Sequence, residues 1–154
     1  MSVAVQRMVL RDLTRQDVPQ VLAIEQSAYS HPWTQGHFVD ALASGYHCVG
    51  LWDGEALVAY LVAMPGVQET HLLNVTVAPE QQGQGLARRL LQDWLDWSRA
   101  QGAMQVWLEV RESNARALQV YAHAGFVRVH IRKDYYPMDR TRREHAVVMS
   151  LNLD

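Results

Sequence analysis

Between Val75 and Ala87 the chain has the makings of an anion-binding turn. Val75-Thr76-Val77 has strand composition, Ala78-Pro79 stops it, and Gln82-Gly83-Gln84-Gly85-Leu86-Ala87 runs directly into a helical pattern. Glycines let main chain turn freely and approach a bulky phosphate with no side chain between. The first N–H groups of the helix lack intrahelical acceptors and sit at the positive end of its dipole. Arg88 and Arg89 add charge in the first turn. A mononucleotide loop would need Lys and then Ser or Thr after its last glycine, where Leu86 and Ala87 stand. A dinucleotide fingerprint would need a third glycine where Arg88 stands, and a preceding βαβ unit that the upstream hairpin pattern does not supply. Both nucleotide readings fail. A different phosphate-bearing ligand and a plain glycine turn opening a core helix both remain open.

Glu109 is the second residue with chemical potential. In Met104 to Val110, Val106 and Leu108 share one face and Trp107 and Glu109 the other. A carboxylate in an apolar strand is costly unless it is paired, hydrated or functional; an edge-strand glutamate in water is the bland alternative. Tyr121 follows Ala117 and Leu118 at helical spacing, so it is either a core aromatic or a positioned hydroxyl. Asn114 stands where the N-cap of that helix is needed. The seven histidines show no H-E-x-x-H or close pairing, so no metal site is expected. Cys48, inside the apolar run Tyr46 to Leu51, is expected to be a buried structural thiol.

The elements that must position these residues follow from periodicity. Val5 to Leu13 alternates as a strand, and Thr14 with Asp17 forms a near capping box for a helix that buries Val18, Val21, Leu22 and Ile24. A second helix starts at Thr34 and turns Phe38 and Leu42 inward. Tyr46 to Trp52 and Ala56 to Met64 are strands joined at Asp53-Gly54, a hairpin signal. Thr70 to Val77 is a strand. Leu86 to about Ala100 is a helix with Leu86, Leu90, Leu91, Trp94 and Leu95 on one face and Gly102 as its stop. Met104 to Val110 is a strand, Asn114 to Ala124 a helix, and Phe126 to Ile131 and His145 to Leu151 are closing strands. Tyr135, Tyr136 and Pro137 are expected to break this last hairpin. The order predicts an α/β (α+β) three-layer domain, with all of 1–154 as one unit.

Composition sets the class. The 154 residues are 49% hydrophobic and 19% charged, a globular balance with enough chain for one core. One cysteine excludes an intrachain disulfide framework and fits a reducing compartment. No apolar run approaches the ~20 residues of a membrane span, and Met1 to Leu10 lacks a signal-peptide pattern. A net charge of −2 argues against a general nucleic-acid binder. Thirteen of the fourteen basic residues are arginine, and eleven of the fourteen lie beyond residue 77, so the second half suits an anionic ligand; an ordinary solvated surface would also explain them.

Gln82-Gly83-Gln84-Gly85-Leu86-Ala87 resembles the Q/R-x-x-G-x-G/A motif of the GNAT family of N-acetyltransferases. Asn114-Ala115-Arg116-Ala117 with Tyr121…Gly125-Phe126 is similar to that family's second signature, N-x-x-A…Y-x-x-x-G-F. His31-Pro32-Trp33-Thr34, Trp107-Leu108-Glu109-Val110-Arg111 and Arg132-Lys133-Asp134-Tyr135-Tyr136-Pro137 narrow the likeness to the RimI branch, which acetylates the N-terminal alanine of a small-subunit ribosomal protein. Two departures are small: Gly83 stands where Arg is frequent, and Ala87 where Gly is.

The resemblance implies a GNAT fold, a central mixed and mostly antiparallel sheet flanked by helices. It implies acetyl-coenzyme A as cosubstrate, bound by Val75, Thr76, Val77, Gln82, Gly83, Gln84, Gly85, Leu86, Ala87, Arg88 and Asn114. It gives Glu109 the part of general base, Tyr121 that of general acid, and a main-chain N–H at Val77 or Val75 that of oxyanion donor. Trp33, Tyr135 and Tyr136 would form the substrate wall. The expected enzyme is a cytoplasmic monomer acting on the N-terminal peptide of a ribosomal protein, without metal, nucleic acid or membrane. A GNAT enzyme for lysines or small amines, and a non-catalytic acetyl-coenzyme A sensor, are the alternatives.

Overall fold

The computed structural model describes residues 3–154; Met1 and Ser2, at the head of the stretch read for a signal pattern, lie outside the described residues. Where strand was expected from Val5, the chain first makes a short helical turn, α1 (Val3–Arg7), and only Val9–Asp12 forms β1. The reason is burial: Val5 and Met8 are both enclosed in the core, which a single alternating strand face would not allow for this pair. The Asp17 carboxylate accepts from the Thr14 N–H at 2.8 Å and its hydroxyl at 3.2 Å, and a 3-10 turn then feeds α2 (Val18–Ala28). Thr34 caps α3 (Gln35–Ala43), accepting from the His37 N–H at 3.3 Å.

The hairpin of β2 (His47–Asp53) and β3 (Ala56–Pro65) turns on Gly54-Glu55, one residue later than Asp53-Gly54, because Asp53 still pairs with Ala56. Gly54, at φ 61°, takes the first central position of such a turn, where glycine is favoured. β4 (Glu69–Val77) leads through a 3-10 turn at Pro79–Gln81 into α4 (Leu86–Ala100). This helix ends in a Schellman motif: the Gly102 N–H bonds Arg99 O and the Ala103 N–H bonds Ser98 O, with Gly102 at φ 80°. β5 (Gln105–Arg111), α5 (Ala115–His123), β6 (Val127–Pro137) and β7 (Arg143–Asn152) complete the chain.

The strands form one seven-stranded sheet in the order β1-β2-β3-β4-β5-β7-β6, antiparallel except for the β4–β5 pair. One face packs against α4 and α5, with Leu51, Leu61, Leu90, Trp94, Leu108 and Met149 at its centre; the other packs Val21, Ile24, Phe38, Tyr60 and Val62 under α2 and α3. These are the three layers. Among the described residues no helix is long and apolar enough to cross a membrane.

Two irregularities shape the middle of the sheet. β4 and β5 pair only at Glu69↔Gln105, Thr70↔Val106 and His71↔Trp107, then separate. In β4, Asn74 pairs with Val62 and Leu72 with Ala63, so Leu73 is an extra, bulged residue. A bulge re-aims the side chains beyond it. Before it, Thr70 bonds Ser98 and Trp94 on α4 at 2.8 and 2.9 Å. After it, Asn74 and Thr76 turn to the α2 face, while Val75 and Val77 pack on the α4 side.

The last hairpin is continuous, not broken at Tyr135, Tyr136 and Pro137. Lys133, Asp134 and Tyr135 bulge opposite His145, and pairing resumes at Tyr136↔Glu144. Asp134 takes φ 51°, a region Asp tolerates, and its N–H is accepted by His145 Nδ1 at 3.0 Å. Arg143 donates to the carbonyls of Asp134 and Tyr135, both at 2.8 Å, so β7 side chains hold the bulge in place of ladder bonds.

Candidate active site

Where β4 and β5 part, a cleft of about 980 Å³ opens between the end of β4, the glycine turn, α4 and α5. Antiparallel pairing alternates backbone groups between the two edges of a strand. The Ala78 N–H bonds Val58 O on β3 at 2.9 Å, so the N–H groups of Val75 and Val77 fall on the other, unpaired edge. The carbonyls of that edge are met by side chains: Tyr29 Oη donates to Val75 O at 3.3 Å and Gln82 Nε2 to Val77 O at 3.4 Å.

Gly83 and Gly85 hold φ 85° and 83°, and a Cβ built on either would meet nothing within 4 Å. Glycine is needed there for its left-handed backbone, and the space beside it is open to a ligand. Gly85 is also the N-cap of α4 and offers no capping side chain, so the first-turn N–H groups stay available to an anion. Of the expected cofactor residues, Val75, Thr76, Val77, Gln82, Gly83, Gly85, Leu86, Ala87, Arg88 and Asn114 line the cleft. Gln84 does not. Its amide folds back onto Gln81, donating to the carbonyl at 3.1 Å and to Oε1 at 3.0 Å, and pins the turn. Arg89 is likewise spent elsewhere, donating to Val5 O at 2.8 Å, while Arg116 lines the cleft unforeseen.

Asn114 caps α5 by accepting from the Ala117 N–H at 3.1 Å, and it also borders the cleft. The loop before it is tied down by Glu144, which accepts from the Ser113 N–H at 2.8 Å and Arg111 at 3.1 Å. Hydrogen bonds from Ser113, with Arg111 adding to them, hold that carboxyl below the usual range.

Tyr121, on α5, faces the cleft against Phe126, with ring centroids 5.9 Å apart. Burial pushes its phenol well above the ordinary value, and the phenols of Tyr29 and Tyr136 add to the effect. Glu109 does not line the cleft. It lies two residues beyond the last β4–β5 pair, on the face opposite the α4 core, with a side chain 5% exposed. Its Oε2 meets His71 Nε2, and its Oε1 takes long bonds from Arg132 at 3.3 Å and Tyr135 at 3.4 Å. His71 stacks on Trp107 at 3.9 Å between centroids. Each carboxylate oxygen has two acceptor positions, so three donors leave room for another.

Tyr135 and Tyr136 do stand beside Glu109: Tyr135 bonds it under the Arg132 guanidinium, and Tyr136 packs edge-on to Tyr135 at 4.9 Å with Arg111 over its face. Trp33 joins neither group. It packs on Phe38 at 5.1 Å and His37 at 5.7 Å, and its N–H is held by Glu25 at 2.9 Å. A short apolar motif cannot reveal that its ring is taken by the next helix.

Sequence reasoning missed Tyr29 and the buried Glu25, which is 2% exposed. The one available signal was a glutamate at the inward spacing of α2, immediately after Ile24.

A seven-stranded sheet split over a glycine turn and a helix N-terminus sets an anion cradle beside a free strand edge, and the comparisons say which class of protein this is. The chain belongs to the acetyltransferase (GNAT) family, whose profile matches residues 18–126. It is 34% identical over 145 residues to the ribosomal protein bS18-alanine N-acetyltransferase of Haemophilus ducreyi, covering 94% of this chain and 100% of that one. The protein of the same name from Escherichia coli K12 is 34% identical over 142 residues, covering 92% and 95%. Among solved structures, the ribosomal-protein-S18-alanine N-acetyltransferase of E. coli matches with a TM-score of 0.89 at 33% identity, over 96% of this chain and 94% of that one. The protein is thus an N-acetyltransferase, and its acetyl donor is acetyl-coenzyme A. The donor set fits that molecule: uncapped helix N–H groups, Arg88 and Arg116 for its phosphates, and free β4 backbone for its thioester end.

Proposed function

We propose that the chain, acting as one catalytic unit, acetylates the N-terminal α-amino group of an alanine on a small-subunit ribosomal protein, in the cytoplasm and as a monomer. Acetyl-coenzyme A supplies the acetyl group as a thioester open to attack by the amine. Glu109 accepts the proton that the amine loses as its nitrogen bonds to the carbonyl carbon. The N–H of Val75 or Val77 steadies negative charge on the carbonyl oxygen. Tyr121 gives its proton to the sulfur as the carbon–sulfur bond breaks and recovers one from solvent, to which Glu109 releases the proton it took from the amine. An α-amine titrates near ~8 against ~10.4 for lysine, so one carboxylate suffices as its base.

The observation that carries this reading is Glu109 at the parting of β4 and β5, its carboxylate held by His71 and still short of its full set of donors. Tyr121 supports it from the cleft, where a phenol raised by burial keeps its proton at working pH. The names of the relatives support the substrate class.

The test is thiol release from acetyl-coenzyme A with two peptides, backed by intact mass. One begins Ala-Arg with a free amine; the other is N-terminally blocked and carries an internal lysine. Turnover with the first alone is expected. Turnover with the second alone overturns the substrate, and silence from both with acetyl-coenzyme A still bound points to a small-amine enzyme or a sensor.

A further inference from the structure

A directional chain of hydrogen bonds runs from the buried carboxylate of Glu25 to the cleft. Every partner of Glu25 donates to it: Tyr60 Oη to Oε1 at 2.6 Å, Asn74 Nδ2 to Oε1 at 3.0 Å, and the Trp33 N–H to Oε2 at 2.9 Å. A carboxylate only accepts, so it fixes the Asn74 amide with Nδ2 toward itself and Oδ1 toward Thr76. Oδ1 also only accepts, so the Thr76 hydroxyl must donate to it, as it does at 2.7 Å. Its proton spent, Thr76 Oγ1 can only accept from Tyr29 Oη at 2.7 Å. Tyr29 Oη is therefore the donor in that bond, shared with Val75 O at 3.3 Å. The phenol has one proton, and both bonds that use it point back into the protein. Toward the cleft, which Tyr29 lines with Val75 and Thr76, Oη has only lone pairs to offer.

We propose that Tyr29 is a fixed hydrogen-bond acceptor at the reacting end of the cleft, its polarity imposed by Glu25 through Asn74 and Thr76, and that it takes an N–H of the attacking α-amine. The proposal rests on the function given above, which sets the thioester against the free edge of β4. There a lone pair repels the carbonyl oxygen and attracts an amine N–H. It thus helps select which reactant stands on the α2 side. The bond strengthens as the nitrogen gains positive charge during attack, so it favours the transition state over the bound substrate. Glu109 and Tyr29 would each hold one amine hydrogen, leaving the nitrogen lone pair aimed at carbon.

The experiment compares Tyr29→Phe, Thr76→Val and Thr76→Ser with wild type and with Glu109→Gln, using the free-amine Ala-Arg peptide. It measures kcat, both KM values and thermal midpoints. Tyr29→Phe keeps the ring and loses the acceptor; the expected result is a 10- to 100-fold fall (about the loss for a hydrogen bond to a charging group) in kcat/KM for peptide. Its KM for acetyl-coenzyme A should stay within about twofold of wild type, and Thr76→Ser should recover most of what Thr76→Val loses. Wild-type kinetics in Tyr29→Phe, a defect confined to the acetyl-coenzyme A KM, or equal impairment of both Thr76 variants at matched thermal midpoints would each overturn the proposal. Glu109→Gln separates the two levels: if it is dead while Tyr29→Phe is normal, only Tyr29's role falls. If Glu109→Gln also turns over normally, the function's own mechanism falls with it.

Discussion

His71, the last β4 residue paired with β5, reaches past its partner Trp107 to meet Glu109 Oε2 with Nε2, so the proposed base is braced by the strand that leaves it. Removing the carboxylate's charge tests that base. Glu109→Gln should lower kcat by about 10²- to 10⁴-fold, with the acetyl-coenzyme A KM little changed because Glu109 lies outside the cleft lining. His71→Phe, which keeps a ring for Trp107 but loses the bond, should lower kcat by about tenfold, the order of one hydrogen bond. Thiol-release kinetics measure both.

Tyr121 gives a prediction in pH. Burial disfavours the phenolate, so the folded phenol titrates above its ordinary value and the acid form persists into alkaline solution. The profile of kcat from pH 6 to 10 should therefore show no falling alkaline limb from this group. Tyr121→Phe should cut kcat by about 10²-fold or more. A limb that is present in wild type and absent in Tyr121→Phe would show the phenol titrating inside that range.

Glu144 gives a prediction in stability. Its folded carboxyl is held below the usual range, so its contribution is complete above the unfolded value near ~4.3 and is lost as pH falls through the lower folded value. Urea midpoints of wild type and Glu144→Gln, measured from pH 7 down to pH 3, should differ most at pH 7 and converge in acid. The same variant should loosen the loop before Asn114 and raise the acetyl-coenzyme A KM, since Ser113 loses its carboxylate.

Two glycines with the same backbone separate fold from binding. Gly85 and Gly102 sit at φ 83° and 80°, and neither has an atom within 4 Å of an added Cβ. Either alanine variant should cost about 1–2 kcal/mol in unfolding free energy, the strain of a left-handed L-residue. Only Gly85→Ala should raise the acetyl-coenzyme A KM, because its Cβ projects beside the cleft-lining turn.

Cys48 is buried, and burial, with the charge of Asp12 adding to it, pushes its thiol up to about 11. A disulfide reagent at pH 8 should label the folded protein about a hundredfold more slowly than the urea-unfolded chain, as thiolate fraction dictates.

Local signals carried far in this chain. Five apolar residues at helical spacing marked α4 from its first residue to Ala100, Asn114 declared its cap, and Thr34, read as the start of α3, proved to be its N-cap. The glycine turn was legible because positive φ restricts residue choice so strongly. What stayed hidden depends on contacts between distant segments. Arg88 and Arg89 look alike in sequence, yet one faces the cleft and the other is claimed by a carbonyl of α1. Tyr29 and Glu25 read as ordinary helix residues until Asn74 and Thr76 are turned toward them, and only the extra residue at Leu73 does that. The family resemblance alone places Trp33 on the substrate wall, and nothing in its sequence neighbourhood shows that its ring packs on Phe38.

The bulge at Leu73 makes β4 a strand written in two reading frames. Its first half is spelled for the α4 core and its second half for the polar floor under α2, although the alternation of buried and half-buried positions runs unbroken from Glu69 to Val77. A one-residue deletion there would leave composition, length class and periodicity almost untouched. By register it would also leave every face in place, because Leu72 opposite Ala63 and Asn74 opposite Val62 would then be neighbours in ordinary alternation, with Asn74 and Thr76 still on the α2 side. The damaging change is a strand that keeps Leu73 but pairs without the bulge, which would swap Asn74 and Thr76 with Val75 and Val77 and drive an amide and a hydroxyl into the apolar core.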